Sequence, residues 1–101
     1  MGFSSSKRAL LVALETGNFQ HEPRGLLSEK NLLAVGDVSV EDVIGIVRRA
    51  RGPDYSVSPH HWDPGTEVHV FRSTLHDVIW YVKAYFLDEP QGMAVVISIH
   101  R

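Results

Sequence analysis

The chain has 101 residues, which is too few for two ordinary domains, and its formal net charge is -2 at pH 7. Its hydrophobic fraction of 44% is sufficient for one buried core. The absence of cysteine excludes disulfide bridges and thiolate metal sites, and it fits a reducing compartment. The slightly acidic balance argues against a generic nucleic-acid-binding protein. Five of the six histidines lie in the second half of the chain, however, where their protonation would add positive charge.

The N-terminal segment lacks the features of a signal peptide or a membrane span. Residues 9–14 form a short apolar stretch, Glu15 follows it directly, and no small-residue cleavage pattern is present. No run in the chain approaches the ~20 apolar residues that a membrane-spanning helix needs. We therefore expect a soluble, cytoplasmic protein.

The first half of the chain predicts helices. An apolar stripe formed by Leu10, Leu11 and Leu14 predicts a helix over residues 7–15. Residues 4–6 can cap this helix, and Gly17 ends it. Residues 18–25 read as a loop or a short edge strand. A weaker helix is indicated over residues 28–34 and would end at Gly36.

The clearest helix signal follows Ser39. Ser39 and Asp42 have the spacing of a capping box, and Gly52-Pro53 ends the segment. Its apolar face consists of Val40, Val43, Ile44 and Val47. Three arginines crowd its last turn, namely Arg48, Arg49 and Arg51. They either complement the helix dipole or form a patch that grips phosphate.

The second half of the chain predicts strands, because polar and apolar residues alternate there. The strands are expected over residues 67–72, 80–86 and 95–100, joined by residues 73–78 and by a turn at 88–92. Connections this short make neighbouring strands antiparallel. The predicted fold class is therefore α+β, with N-terminal helices packed on one face of a C-terminal antiparallel sheet.

Alternation also predicts which side chains the open face of that sheet carries. Placing the polar residues outward gives Glu67, His69, Tyr81, Lys83, Tyr85, Ser98 and His100. Such a face is either an ordinary solvated surface or a patch with catalytic groups. The polar loop over residues 58–65 leads into this strand and adds His60 and His61. A metal site that draws on these histidines, His69 and a carboxylate is conceivable, but no recognised ligand spacing is present, so no metal or other cofactor is expected.

RNA cleavage without a metal ion needs a base, a cation and an acid around one phosphate. Histidine serves as base or acid, lysine or arginine supplies charge, and tyrosine stacks on a nucleobase. The candidate catalytic residues of these types are His60, His61, Glu67, His69, Arg72, Tyr81, Lys83 and His100. The candidate RNA-binding residues are Arg48, Arg49, Arg51, Tyr55 and Tyr85. The chain contains no phosphate-cradling glycine loop and no GxSxG elbow.

Short matches in a fixed order along the chain carry a resemblance to a known family. They are the segments 14–17 (LETG), 43–47 (VIGIV), Tyr55, 70–72 (VFR), 80–83 (WYVK) and 96–100 (VISIH). In these segments the chain resembles the MqsR toxins, small ribonucleases with a RelE-like fold that belong to bacterial toxin–antitoxin pairs. The resemblance implies a toxin that cleaves messenger RNA, either free or on the ribosome, blocks translation and is neutralised by a cognate antitoxin protein.

The resemblance also implies roles for Lys83, which matches a family lysine, and for Tyr55, which matches a family tyrosine. The chain departs from the family's pattern at three places. Ser56 replaces the family's lysine after that tyrosine, the last strand ends in His100-Arg101, and the pair His60-His61 is not part of the family's pattern. Either histidines replace the family's lysines in catalysis, or the nuclease activity is altered. The alternative function is a non-catalytic interaction or regulatory module, of the immunity-protein kind, on the same scaffold.

Overall fold

Two helices and five strands make up the described part of the chain, which comprises residues 2–22, 31–60, 63–87 and 93–101 of a computed structural model. The helices are α1 (Phe3–Thr16) and α2 (Val40–Arg49), and a short 3-10 turn (Gly52–Asp54) follows α2. The strands are β1 (Phe19–His21), β2 (Tyr55–Pro59), β3 (Glu67–Leu75), β4 (Val78–Phe86) and β5 (Ala94–His100). The predicted α+β class is confirmed.

Helix α1 starts four residues earlier than predicted. Its N-cap is Gly2, which has no capping side chain, so the three serines lie inside the first turns instead of capping it. Gly17 ends the helix as predicted: its φ of 76° is left-handed, and its N–H donates to the carbonyl of Ala13. The early start matters because it places Ser6 in the interior, where it is fully buried.

Helix α2 begins directly after Ser39, as predicted, but it ends at Arg49 with Ala50 as its C-cap, so Arg51 lies beyond the helix and not in its last turn. Ser39 accepts a hydrogen bond from the Asp42 N–H, and the Asp42 side chain accepts one from the Ser39 N–H, so both halves of the capping box are formed. The weaker helix predicted over residues 28–34 is not found in its described part, where residues 32–36 form turns. Residues 28–30 lie outside the described part of the chain.

The five strands form one mixed sheet with the order β1-β5-β4-β3-β2. All neighbours are antiparallel except β1 and β5, which are parallel, so the sheet is not purely antiparallel as predicted. Strands β3 and β4 continue through most of the predicted connection over residues 73–78. They are joined by a turn at His76 and Asp77, whose φ angles are 53° and 62°. The turn predicted at residues 88–92 lies outside the described residues.

The two faces of the sheet have different environments. One face, called here the helix face, packs against apolar residues of α1 and α2 such as Leu10, Leu14 and Ile46. It contributes Phe71, Trp80, Val82, Ala84, Val96 and Ile99 to the core. The opposite side is called here the outer face; by register it carries Val70, Arg72, Tyr81, Lys83, Ser98 and His100. Among the described helices, none is both long and apolar enough to cross a membrane.

Candidate functional site

His69 and Glu67 lie on the opposite side of the sheet from Lys83, so the single patch predicted from alternation is wrong. In the register of β3 and β4, His69 pairs with Ala84, whereas Lys83 pairs with Val70. Alternation therefore puts His69 and Glu67 on the helix face with Phe71. His69 is only 2% exposed. The prediction failed because it assigned the polar residues of β3 to solvent, although β3 buries a histidine.

Buried hydrogen bonds explain why His69 faces inward. Its Nδ1 lies 2.7 Å from the hydroxyl of Tyr55 and 3.2 Å from the Oγ of Ser6, and these two oxygens are also 3.2 Å apart. The Tyr55 and His69 rings are stacked, with centroids 5.9 Å apart. The contacts give the buried imidazole polar partners, and they join α1, β2 and β3. Tyr55 is thus engaged on the helix face and does not extend the outer face as an RNA-binding residue.

A pocket of about 380 Å³ opens beside this network, lined by Gly65, Thr66, Glu67, His69 and Phe86. It is on the helix face, with Glu67 exposed at its rim. Since Lys83, Tyr81 and His100 are on the other face, this pocket cannot share a substrate atom with them. Glu67 and His69 therefore belong to a separate region of the molecule.

Four of the predicted catalytic residues do come together, on the outer face. Tyr81 pairs with Arg72 on one side and with His100 on the other, so the three side chains form one row across β3, β4 and β5. Lys83 lies in the next row, between Val70 and Ser98. Arg72 is exposed, and the other three are half-buried. The outer-face cluster is defined here as Arg72, Tyr81, Lys83 and His100.

The geometry of His100 suits a general base. Its Nδ1 lies 3.2 Å from the main-chain oxygen of Arg101, and because this oxygen can only accept, Nδ1 carries the hydrogen of this bond. In the neutral ring, Nε2 then has the lone pair that can take up a proton. The ring is stacked on Tyr81, with centroids 5.5 Å apart and planes inclined by 20°. This stacking restrains the orientation of the imidazole.

A β-bulge lies next to Lys83. The partner of Lys83 on β5 is Ser98, but the partner of Ala84 is Val96, so Ile97 is an additional residue on β5. A bulge re-aims neighbouring side chains and occurs often beside functional sites. The sequence pattern predicts the correct face for Ser98 and His100. An unbroken period of two would also place Val95 on the helix face and Val96 on the outer face, and the bulge exchanges these two.

The end of the outer face near Tyr85 is covered. The His60 ring packs edge-on against Tyr85, with centroids 5.0 Å apart, and its Nε2 lies 3.1 Å from a carboxylate oxygen of Glu22. His60 Nδ1 accepts a hydrogen bond from the Asp63 N–H, so the hydrogen on Nε2 is the one donated to Glu22. His60 is 8% and Glu22 7% exposed. His60 is therefore part of a buried contact and not of the outer-face cluster.

The remaining predicted residues are scattered. His61 lies outside the described residues. Arg48 is exposed and paired with Glu15 of α1, whereas Arg49 donates from Nη1 to the carbonyl of Thr74, 3.1 Å away. The side chain of Arg51 is exposed, and its backbone N–H donates to Asp54. The three arginines therefore do not form one patch. No group of three metal-ligating side chains occurs within the described ranges.

Sequence reasoning missed three residues that shape these regions, namely Ser6, Lys7 and Glu22. Lys7 donates from Nζ to the carbonyls of Arg48 and Ala50, at 2.7 and 2.9 Å, and so closes the C-terminal end of α2. The partners of all three residues are 38 to 63 positions away in the chain. No local pattern signals contacts of that kind.

No protein-family model, no curated protein and no solved structure matches this chain. The chemistry that the outer-face cluster permits therefore follows from its own geometry. Lys83 and His100 are diagonal neighbours on adjacent strands, a relation that separates the two residues by about 7–8 Å and their Cβ atoms by somewhat less. A phosphate group fits between side chains at that separation. A base, two cations and a phenol lie in the two rows of side chains around that position.

Proposed function

We propose that this protein is a ribonuclease toxin of the MqsR kind, which cleaves messenger RNA in the cytoplasm without a metal ion and is neutralised by a cognate antitoxin. The observation that supports this proposal best is the grouping of Tyr81, Lys83, His100 and Arg72 on one accessible face. These are the side-chain types that cleavage at a 2′-hydroxyl requires. Lys83 is also one of the residues that match that family.

In the proposed reaction, His100 Nε2 takes the proton of the 2′-hydroxyl. The 2′-oxygen then attacks phosphorus, the bond from phosphorus to the 5′-oxygen breaks, and the products are a 2′,3′-cyclic phosphate and a 5′-hydroxyl end. Lys83, diagonally across from His100, donates a proton to the leaving oxygen. Arg72 stabilises the additional negative charge on the phosphate through its guanidinium. Tyr81 orients His100 by stacking and presents its ring edge to the nucleotide.

The first experiment is cleavage of a purified single-stranded RNA without ribosomes and with a chelator present. We expect the parent protein to release a cyclic phosphate, and His100→Ala and Lys83→Ala each to lower the rate by at least about 100-fold. His76→Asn is the matched control, because His76 is an exposed histidine in the turn between β3 and β4. An RNA with a 2′-deoxy residue at the cleaved position should resist the parent protein.

If the parent protein leaves free RNA intact, the same variants are compared in a translating extract, where cleavage requires the ribosome. Cleavage there that depends on His100 and Lys83 supports the proposal with a ribosome-bound substrate. No cleavage in either assay refutes it and favours the non-catalytic interaction module. Growth arrest on induced expression, relieved by Lys83→Ala and by co-expression of an adjacent small reading frame, tests the toxin and antitoxin parts separately.

A further inference from the structure

A notch in the edge of the sheet lies next to the outer-face cluster. Strand β2 pairs with β3 only as far as Phe71, so within the described part of the chain no strand lies on the β2 side of β3 from Arg72 onward. A pocket of about 480 Å³ occupies this position, lined by Arg49, Asp54, Arg72, Ser73, Thr74 and Ile79. The notch is therefore bounded by the end of α2, the 3-10 turn and the last residues of β3.

Arg49 is held in the notch by the sheet edge itself. Its Nη1 donates to the Thr74 carbonyl, a group on the side of β3 that β2 no longer covers. A guanidinium has five N–H donors in a planar fork, and this contact uses one nitrogen. Arginine in such a position is suited to bind a phosphate through two parallel hydrogen bonds. Arg48, one residue earlier, is paired with Glu15 on the other side of α2.

The charge of the notch favours an anion. Arg49 and Arg72 contribute two positive charges, and Asp54 contributes one negative charge. One carboxylate oxygen of Asp54 lies 3.7 Å from Arg72 Nη2, and the other accepts the Arg51 N–H. The two arginines therefore outweigh the carboxylate, and Asp54 moderates the attraction without cancelling it.

The notch is continuous with the outer-face cluster. Arg72 belongs to both, and Ile79 is two residues before Tyr81 on β4, a distance of about 7 Å along a strand. Ile79 is 54% exposed and offers an apolar surface to a nucleobase or ribose beside the phosphate. A strand of RNA whose reacting phosphate lies between His100 and Lys83 would bring its next phosphate toward the notch.

We propose that the notch between Arg49 and Arg72 binds a second phosphate of single-stranded RNA, so that the preferred substrate spans at least three nucleotides. This inference rests on the proposed function for its ligand. It assigns to Arg49 alone, among the three arginines near the end of α2, a contact with the substrate.

The test measures binding of 2′-O-methyl oligonucleotides, which cannot be cleaved, by fluorescence anisotropy. We expect Arg49→Gln to weaken binding of a tetranucleotide about tenfold and to lower the dependence of log affinity on log salt by about 0.7, the value for one phosphate contact on a single strand. Binding of a dinucleotide, measured by competition, should be unchanged. Arg48→Gln and Arg51→Gln are the matched controls and should bind both ligands as the parent does.

Asp54→Asn should change the affinity for the tetranucleotide in the opposite direction, and damage to the fold cannot imitate a gain in affinity. It removes the negative charge but keeps an acceptor for the Arg51 N–H, so tetranucleotide binding should become several-fold tighter. Weaker or unchanged binding by Asp54→Asn, equal effects of Arg49→Gln and Arg48→Gln, or no tetranucleotide binding by the parent would each overturn the inference.

The binding test is separate from cleavage. If the parent protein cleaves RNA but Arg49→Gln binds the tetranucleotide as Arg48→Gln does, the notch is refuted and the ribonuclease stands. If the parent protein cleaves neither free RNA nor RNA in the translating extract, but Arg49→Gln alone weakens binding, the notch stands and the ribonuclease is refuted.

Discussion

At the scale of single residues, the burial of His69 decides how the candidate site is composed. An imidazole is expensive to bury without hydrogen-bond partners, and Tyr55 and Ser6 provide them. With His69 committed to the interior, the outer face retains His100 as the histidine that is both accessible and next to Lys83 in the described part of the chain. The distinction between a structural and a chemically available histidine can be tested directly.

Removal of the Tyr55 hydroxyl should destabilise the protein without emptying the core. Tyr55→Phe keeps the ring that packs on Phe3, Phe71 and His69 but takes away the hydroxyl 2.7 Å from His69 Nδ1. We expect a loss of about 1–2 kcal/mol in the free energy of unfolding, because the buried His69 Nδ1 loses the nearer of its two partners, Tyr55 and Ser6. Urea denaturation measures this loss. Ser56→Ala, an exposed neighbour on the other face, is the control, and an equal loss there would contradict the prediction.

His21 should make the stability of the fold depend on pH. Burial lowers the pKa of His21 from its ordinary value of 6.5, and its Nδ1 accepts a hydrogen bond from the Asn31 amide, 3.0 Å away. Below pH 6.5 the unfolded chain therefore binds a proton at this site more readily than the folded protein does. The contribution of His21 to the free energy of unfolding is therefore present above pH 6.5. It is lost as the pH falls from 6.5 through the lower pKa that His21 has in the folded state.

The measurement is the free energy of unfolding at a series of pH values between 7.5 and 5, with these limits chosen to bracket the ordinary pKa by about one unit or more. His21→Gln should flatten the decline on the acidic side relative to the parent. His76→Asn, at an exposed turn position, should leave the slope in this range as it is. A decline of the same steepness in His21→Gln would show that other groups cause it.

At the scale of secondary-structure elements, local signals predicted what local forces determine. The capping box of α2 and the left-handed Gly17 at the end of α1 were both legible in the sequence, because each depends on residues a few positions apart. The tight turn between β3 and β4 was not. Its two central residues are His76 and Asp77, and a type I′ turn is normally signalled by asparagine and glycine.

The turn should therefore be open to stabilisation. Both of its central residues have positive φ, a conformation that costs a side-chain-bearing residue energy and that glycine adopts freely. We expect Asp77→Gly to raise the free energy of unfolding by about 0.5–1 kcal/mol, as measured by urea denaturation. Gly17→Ala is the reciprocal control: at a φ of 76° it should lower stability by about 1 kcal/mol. A loss of stability in Asp77→Gly would contradict the strain assigned to this turn.

The contrast between local signals and contacts distant in the chain also explains how much of the candidate site could be predicted. Alternation correctly placed Tyr81, Lys83, Ser98 and His100 on one face, because these strands have a clear apolar side. It failed on β3, where Val68 and Val70 point outward and His69 inward, since both faces of this strand carry apolar residues. The choice of face there depends on partners 14 and 63 residues distant in the chain, and a local period contains no information about them.

At the scale of the whole molecule, the contact between Glu22 and His60 joins the two opposite edges of the sheet. β1 and β2 are its opposite edge strands, and each of these residues directly follows one of them. Their side chains nevertheless lie 3.1 Å apart, so the edges approach each other at this end of the outer face. Val95, on the outer face beside Tyr85, is consequently fully buried. The sheet is closed at one end and accessible at the end that carries His100 and Arg72.

Loss of this contact should therefore weaken the global fold and not only a local loop. Glu22→Leu removes the carboxylate that accepts the His60 Nε2 hydrogen, and His60→Phe removes the donor and leaves the carboxylate buried. We expect each to lower the free energy of unfolding by about 2 kcal/mol, the range for hydrogen bonds to charged groups. Because both changes break one contact, the double variant should lose clearly less than the sum. Full additivity in urea denaturation would show that the two residues stabilise the fold independently, and the edges of the sheet would then not depend on their contact.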